Sequence, residues 1–338
     1  MKEQIGILGV GQCGGNIVSL FEQKGYECAY VNTSMEDLNS LKNAKYKIHV
    51  KGGEGASKNR KAVLQLAAES IDNIIGRINE LLPQKYLVVC FSAGGGTGSG
   101  LSPFLCSYLA QTGRVVIPVV VLPDHEKESV KTCENAYNCC KDLSTAQGLG
   151  TMFLLDNGKD DKFIINSQFV REFDAMINMT TISSYGNVDI SEIKTMLSTS
   201  GIAIISKLSK AKSFASQILH SFKDNIYVDI ESKTPTYMGI STCNKSLDVS
   251  DITKEFQTSL YDTFYGVAEN RTVTVLCGMN WPMERLTMYK DRVDMLSLPK
   301  ISDNLFESLA PRVSTNTVNT TKEKVIDSRS LLMNFLNN

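Results

Sequence analysis

Short apolar, β-branched runs alternate with longer amphipathic stretches through the first half of the chain. Gln4 to Val10, Glu27 to Val31, Tyr46 to Val50, Tyr86 to Phe91, Arg114 to Leu122 and Thr151 to Asp156 have the composition and length of strands. Between them the period lengthens. From Asn59 to Leu82, the residues Val63, Leu66, Ala67, Ile74, Ile78 and Leu81 keep roughly three-to-four spacing, which predicts a helix. Strand and helix in alternation imply an α/β fold with a mostly parallel sheet covered on both faces. A further helix is expected from Ile165 to about Ser184, with Phe169, Phe173, Met176 and Ile177 on one stripe, as a spine between two halves.

Beyond the spine the rhythm changes. Gly201 to Ser206, Asn225 to Ile230, Tyr237 to Thr242 and Arg271 to Gly278 read as strands, with helices near Ser213 to Phe222 and Val249 to Tyr265. After Pro299 the pattern weakens. Val313 to Lys324 is rich in Ser, Thr and Asn and precedes the apolar residues Leu331, Leu332, Phe335 and Leu336, so a surface-running tail ending in a short helix is expected. The expected division is a first domain over residues 1–164, a central helix over 165–185, a smaller domain over 186–300 and a helix or tail over 301–338.

Composition narrows this picture. A chain of 338 residues, 42% hydrophobic and 21% charged, can bury a large core. With 35 basic against 36 acidic side chains, net charge gives no long-range attraction to nucleic acid or to an anionic membrane. The apolar run at Met1 to Val10 is too short for a secretory segment or a membrane span, and the expected location is the cytoplasm. Nine cysteines, none spaced Cys-x-x-Cys and two adjacent at Cys139 and Cys140, fit neither a disulfide framework nor a zinc site. His49, His125 and His220 lie far apart without metal-ligand spacing, so no residue is assigned to a metal.

Two glycine-rich turns each follow an expected strand and open a helix. The first contains Gly11, Gln12, Cys13 and Asn16 within Gly9-Val10-Gly11-Gln12-Cys13-Gly14-Gly15-Asn16. The second contains Gly94, Gly95, Gly96, Thr97 and Gly98 within Ser92-Ala93-Gly94-Gly95-Gly96-Thr97-Gly98-Ser99-Gly100. Glycines let backbone N–H groups approach an anion closely, and a helix start favours negative charge. Alone, the first turn also satisfies the loop pattern of a dinucleotide-binding fold. A second glycine loop on another strand has no task in such a fold, and no Gly-x-x-x-x-Gly-Lys-Ser/Thr is present. Phosphate held mostly by backbone amides is the remaining reading. Cys13 reads as a small packing residue, and Lys58, Arg60 and Lys61 as either phosphate contacts or a solvated helix start.

Gly94 to Gly100 resembles the signature loop of the tubulin/FtsZ superfamily. The Gln-Cys of the first turn is similar to tubulin, Gly14-Gly15-Asn16 to FtsZ, and the mixture, with Gly52 to Arg60, to the TubZ branch. The resemblance runs from residue 5 to about 206 and implies a GTPase domain joined by a central helix to a smaller α/β activation domain, with GTP or GDP and Mg²⁺ as cofactors. It implies that Asn157 and Asn166 contact guanine, and that Glu134 contacts ribose. The side-chain amide of asparagine suits guanine, accepting from its ring N–H and amine or donating to O6; a cap or turn role is the alternative for each, and a solvated carboxylate for Glu134. Where the family places an aromatic residue against the base, this chain has Lys162, with Phe163 beside it.

Asn187-Val188-Asp189-Ile190-Ser191-Glu192 carries two carboxylates on one face of a helix start, which by pattern alone is a capping box. By resemblance it is the family's hydrolysis loop, in which Asp189 and Glu192 position the attacking water and Asn187 approaches the phosphate or sugar of the next subunit. The implied partners are further copies of the chain, stacked head to tail, and a DNA-binding adaptor in plasmid or phage segregation, with neither direct nucleic-acid contact nor a membrane. A division filament of the FtsZ kind and a nicotinamide-dependent oxidoreductase built on Gly9 to Gly14 are the alternatives; the latter leaves the second glycine loop and the Asn-x-Asp-x-x-Glu motif unused.

Overall fold

The computed structural model describes residues 1–209, 215–232, 234–256, 260–297 and 327–337. Its strands are β1 (Ile5–Val10), β2 (Glu27–Asn32), β3 (Lys47–His49), β4 (Tyr86–Ser92), β5 (Val115–Leu122), β6 (Thr151–Asp156), β7 (Gly201–Ser209), β8 (Tyr237–Thr242), β9 (Asp262–Val267) and β10 (Arg271–Met279). Among the described residues they form one sheet of ten strands in the order β3-β2-β1-β4-β5-β6-β7-β10-β8-β9. From β3 to β7 every pair is parallel, and β10 runs antiparallel to both neighbours. Ile7, Leu8, Val88, Val89, Val119 and Val120 are fully buried, as strands covered on both faces require.

The helices are α1 (Gly11–Gln23), α2 (Met35–Ser40), α3 (Arg60–Ala68), α4 (Ile71–Leu81), α5 (Thr97–Gln111), α6 (Val130–Thr145), α7 (Lys162–Ile177), α8 (Ile190–Ser198), α9 (Ala215–Ser221), α10 (Ser250–Thr253), α11 (Met283–Ser297) and α12 (Ser328–Asn337). The chain winds outward from β1 to β3, then returns to place β4 on the other side of β1. Such a reversal opens a crevice beyond the carboxyl ends of the two strands, where open α/β sheets bind ligands. Both glycine turns lie there, because they follow β1 and β4.

Several elements differ from expectation for local reasons. The helix expected over Asn59 to Leu82 is two, α3 capped by Asn59, whose side chain accepts from the Ala62 N–H at 3.0 Å, and α4 starting after Ser70. The central helix α7 starts upstream of Ile165, because Asp161 accepts from the Phe163 N–H at 2.8 Å, and it stops at Asn178, whose Nδ2 donates to the Asp174 carbonyl at 2.7 Å. Asn225 to Ile230 is not a strand. It touches β6 through a bridge of Tyr227 to Leu155, along the part of β6 that β7 leaves uncovered. The helix expected from Val249 to Tyr265 gives way to α10 and then to β9, so the fourth strand of the C-terminal half is Asp262–Val267. Helix α11 gave no apolar signal.

The expected tail at Val313 to Lys324 lies outside the described residues. Its terminal helix, α12, packs on the same chain: Leu332 is buried, Phe335 meets Phe104 edge to face at 6.0 Å, Ser328 donates to Asp72, and Arg329 lies 3.4 Å from the Asp72 carboxylate. No helix among the described residues is long and apolar enough to cross a membrane.

Candidate nucleotide-binding site

A cavity of about 480 Å³ lies in the crevice, within the range of small-molecule sites. Its walls come from both glycine turns (Gly11, Gln12, Cys13 and Ser92 with Gly94 to Gly98), from Asn32 and Asp37, from the third loop (Ala56, Ser57, Lys58), and from Pro123, Glu128, Thr132 and Asn157. Three helix starts converge on it, those of α1, α5 and α6. The first N–H groups of α1 and α5 have no side-chain cap and are donors for an anion there.

The glycines are required by space. Gly11 has φ +72°, and a side chain on Gly14 would stand 2.1 Å from the Cys90 carbonyl oxygen. The second loop is wedged equally: a Cβ on Gly94 would meet Thr132 at 2.4 Å, and one on Gly96 would meet Ala56 at 2.4 Å. Gly95 differs. Nothing lies within 4 Å of where its Cβ would be, so that side of the loop faces the open cavity.

Buried polar bonds fix the walls. Thr33 and Thr97 share a hydrogen bond of 2.7 Å between their hydroxyls, tying the loop after β2 to the start of α5. His49 Nε2 lies 3.2 Å from the Thr33 carbonyl and 3.1 Å from that of Gly53, which makes it a clamp between the loop after β2 and the third loop. Asn135 Nδ2, almost fully buried, faces the carbonyls of Lys58 at 2.9 Å, Gly95 at 3.0 Å and Gly94 at 3.3 Å. Neither role was legible in the sequence, since a single His or Asn inside an α/β pattern carries no local signature. Ser57 and Lys58 hold φ of 42° and 59°, consecutive left-handed residues of the kind that turn backbone N–H groups inward on an anion. Lys58 donates to Thr132 Oγ1 at 2.8 Å, with no ion-pair partner among the described residues.

The structure brings together Gly11, Gln12, Cys13, Gly94, Gly95, Gly96, Thr97, Gly98 and Asn157 around the cavity. Asn16 stands one turn further along α1, beside a smaller recess it shares with Gly11 and Gln12. Burial pushes the Cys13 thiol up to about 12, against the opposing pull of Lys162, so it stays a neutral packing group. Glu134 does not line the cavity; Lys131, 2.7 Å away on the same helix, takes its carboxylate, and Glu128 is the glutamate that lines the cavity. Phe163 is exposed, with the Lys162 ammonium 5.3 Å from its ring centre.

The fit to a guanine nucleotide rests on an orphaned atom at the cavity wall. Asn157 Oδ1 is buried without a hydrogen-bond partner; Asn166 Oδ1, in α7, is buried and unpartnered too, but Asn166 does not line the cavity. A buried acceptor left unpaired is costly and rare, and the ring N–H and exocyclic amine of guanine are donors that would satisfy it.

Asn187, Asp189 and Glu192 line no part of this cavity. Helix α7 carries the chain about 24 Å along its axis before their loop begins, at 1.5 Å per residue over its length. There Asp189 and Glu192 do form a capping box: Asp189 Oδ1 accepts from the Glu192 N–H at 2.9 Å, and Glu192 Oε2 accepts from the Asp189 N–H at 2.8 Å. The Ser191 hydroxyl and the Glu192 N–H hold the Asp189 carboxyl below its ordinary range, so it is ionised. Asn187 Oδ1 accepts from the Ser183 N–H at 2.5 Å. Ile182, Tyr185 and Ile190 are exposed around them.

Comparison with known proteins agrees with this geometry. Residues 4–159 match the model of the tubulin/FtsZ family GTPase domain. The chain is 32% identical over 288 residues to the tubulin-like protein TubZ of Clostridium botulinum C phage, covering 82% of this chain and 80% of that protein. The crystal structure of C. botulinum phage c-st TubZ superposes with a TM-score of 0.78 at 28% identity, over 87% of this chain and 98% of that one. A GTPγS-form protofilament of Bacillus thuringiensis TubZ shares the fold at TM-score 0.74 and 18% identity, over 87% of this chain and 92% of that one. A family-wide likeness of this extent, with both glycine turns on the switch-point strands, leaves the dinucleotide alternative without support, and the chain belongs to the tubulin/FtsZ family of GTPases.

Proposed function

We propose that the protein polymerises head to tail, that GTP is hydrolysed at the junction between successive copies, and that the filaments segregate plasmid or phage DNA through a DNA-binding adaptor. One observation carries this reading: Asn187, Asp189 and Glu192, which the resemblance assigns to hydrolysis, line no part of the cavity, and the ionised, exposed Asp189 sits on another part of the surface. An incomplete site and its missing half on one chain are complementary in a second copy. A junction between two different surfaces propagates as an open filament. The apolar rim of Ile182, Tyr185 and Ile190 suits such a junction.

In this reading the backbone N–H groups of the two glycine turns hold the phosphates, Lys58 adds a cation beside them, and Asn157 and Asn166 select the base. Asp189 and Glu192 of the adjoining copy orient the attacking water, each keeping one carboxylate oxygen outside the capping box, while Asn187 approaches the phosphate or sugar. Mg²⁺, when bound, supplies neutralisation of phosphate charge; it takes oxygen ligands, and Asp37 and Glu128 are the carboxylates lining the cavity. The expected domain division and the cytoplasmic location belong to the same reading. The phage origin of the C. botulinum relative favours DNA segregation over division.

Light scattering and phosphate release, followed with GTP, GDP and a slowly hydrolysed analogue over a range of protein concentrations, test the proposal. Scattering should rise with GTP above a threshold concentration, and turnover per molecule should rise with it. GTP turnover independent of concentration, with no scattering at any concentration, would overturn it.

A further inference from the structure

Helix α11 belongs to the C-terminal half, yet it grips both walls of the nucleotide cavity. Arg285, in its first turn, makes two bonds to the Asp156 carboxylate, 2.9 Å to Oδ1 and 2.6 Å to Oδ2. Asp156 is 1% exposed and ends β6, immediately before Asn157. One turn later the Tyr289 hydroxyl donates to the Pro123 carbonyl at 2.6 Å, and Pro123 lines the cavity. The start of α11 is itself fixed, because the Glu231 carboxylate accepts from the N–H groups of Met283 at 3.2 Å and Glu284 at 3.0 Å.

Asp156 does more than pair with Arg285. Its Oδ1 also accepts the Gly158 N–H at 2.8 Å, and its backbone carbonyl accepts the Lys159 N–H at 3.1 Å. These two bonds close the turn that carries Asn157, whose own N–H is held by the Leu122 carbonyl at 3.1 Å. The direction in which Asn157 presents its orphaned Oδ1 therefore depends on where the Asp156 carboxylate stands. A carboxylate rotates about its side-chain bonds unless both oxygens are held, and a bidentate guanidinium holds both in one plane.

We propose that Arg285 is a positioning residue for base recognition: from the C-terminal half it locks the Asp156 carboxylate, and through it the turn that aims Asn157 at guanine. The inference rests on the reading of Asn157 as a base contact. It makes guanine selectivity depend on the docking of α11, far along the chain from either glycine turn.

The test is calorimetric affinity for GDP and for IDP, whose base lacks the exocyclic amine, in full-length Arg285→Met, Arg285→Lys, Asn157→Ala and the double variant Asp156→Asn/Arg285→Met. Arg285→Met should lower the GDP-to-IDP affinity ratio about tenfold, the equivalent of one well-placed hydrogen bond. Arg285→Lys, which keeps the charge and hence the fold, should lower it in the same direction, since one ammonium cannot span two oxygens in plane. The double variant removes the unpaired charge but leaves the side chain at 156 unlocked, and should stay as low as Arg285→Met; recovery of the wild-type ratio would overturn the inference, since an unheld side chain would then aim Asn157 equally well. A lowered melting temperature with an unchanged ratio in both single Arg285 variants, while Asn157→Ala loses the ratio, overturns the inference alone. An unchanged ratio in Asn157→Ala as well overturns the base-contact reading and the inference with it.

Discussion

Gly95→Ala separates phosphate binding from folding. An alanine Cβ at this position meets no protein atom within 4 Å, and the backbone is outside the left-handed region, so the folded chain accommodates the methyl group without strain. Removing a glycine also lowers the entropy of the unfolded chain, which stabilises by about 0.4–1 kcal/mol where the backbone is compatible. The ligand is affected differently. The methyl group projects into the cavity that the loop's N–H groups line, and the loop cannot retreat: Asn135 and Ser99 hold the Gly95 carbonyl, and Gly94 and Gly96 are wedged against Thr132 and Ala56. The phosphate then loses one close contact to a donor, a charge-assisted bond of about 1.5–3 kcal/mol. GDP affinity should fall roughly 10- to 150-fold at 1.4 kcal/mol per decade. The assay is calorimetric titration of GDP beside a thermal melt without nucleotide, with Gly96→Ala as a contrast that should melt lower because its Cβ would strike Ala56 at 2.4 Å. A Gly95→Ala protein with wild-type GDP affinity would refute the placement of the phosphates against this loop.

Three other outcomes follow from the same geometry. Asp189→Ala or Glu192→Ala should leave GDP affinity unchanged and slow GTP turnover while lengthening filament lifetime; wild-type turnover in both, by phosphate release, contradicts the shared-site reading. Lys58→Met should weaken GTP roughly tenfold, from loss of a charge-assisted contact, and GDP less; equal effects on both nucleotides would place Lys58 away from the terminal phosphate. Glu172, in α7, is buried against Tyr227 and Gln168, and burial raises its carboxyl to about 7 from the ordinary 4.5 despite those two hydrogen bonds. A raised acid stabilises the fold fully below about pH 4.5 and loses that contribution as the unfolded chain ionises, up to about pH 7. Glu172→Gln, which keeps an acceptor for Tyr227, should therefore raise stability at neutral pH by up to about 3 kcal/mol and flatten its pH dependence in this window, as measured by denaturant melts.

The sequence alone determined the alternation of strand and helix, the parallel core and both glycine-rich turns at the cavity, because each is written over a few consecutive residues. Buried strands read as unbroken apolar runs, and a turn that must pass close to an anion has little choice but glycine. Where local pattern was ambiguous the sequence misled. Val249 to Tyr265 has residues that suit either period, and only pairing with β8 makes its second half a strand. Helix α11 stayed hidden because the side chains it buries, Arg285 and Tyr289, are polar ones whose partners lie more than a hundred residues away. The site divides in the same way. Among the cavity walls, the glycines and Asn157 announce themselves by motif, whereas Glu128, the clamps His49 and Asn135, and the grip of Arg285 on Asp156 exist only once the sheet has brought distant segments together. Hydrogen bonds between remote residues leave no periodicity in the chain, so tertiary structure alone decided which polar side chains shape the cavity.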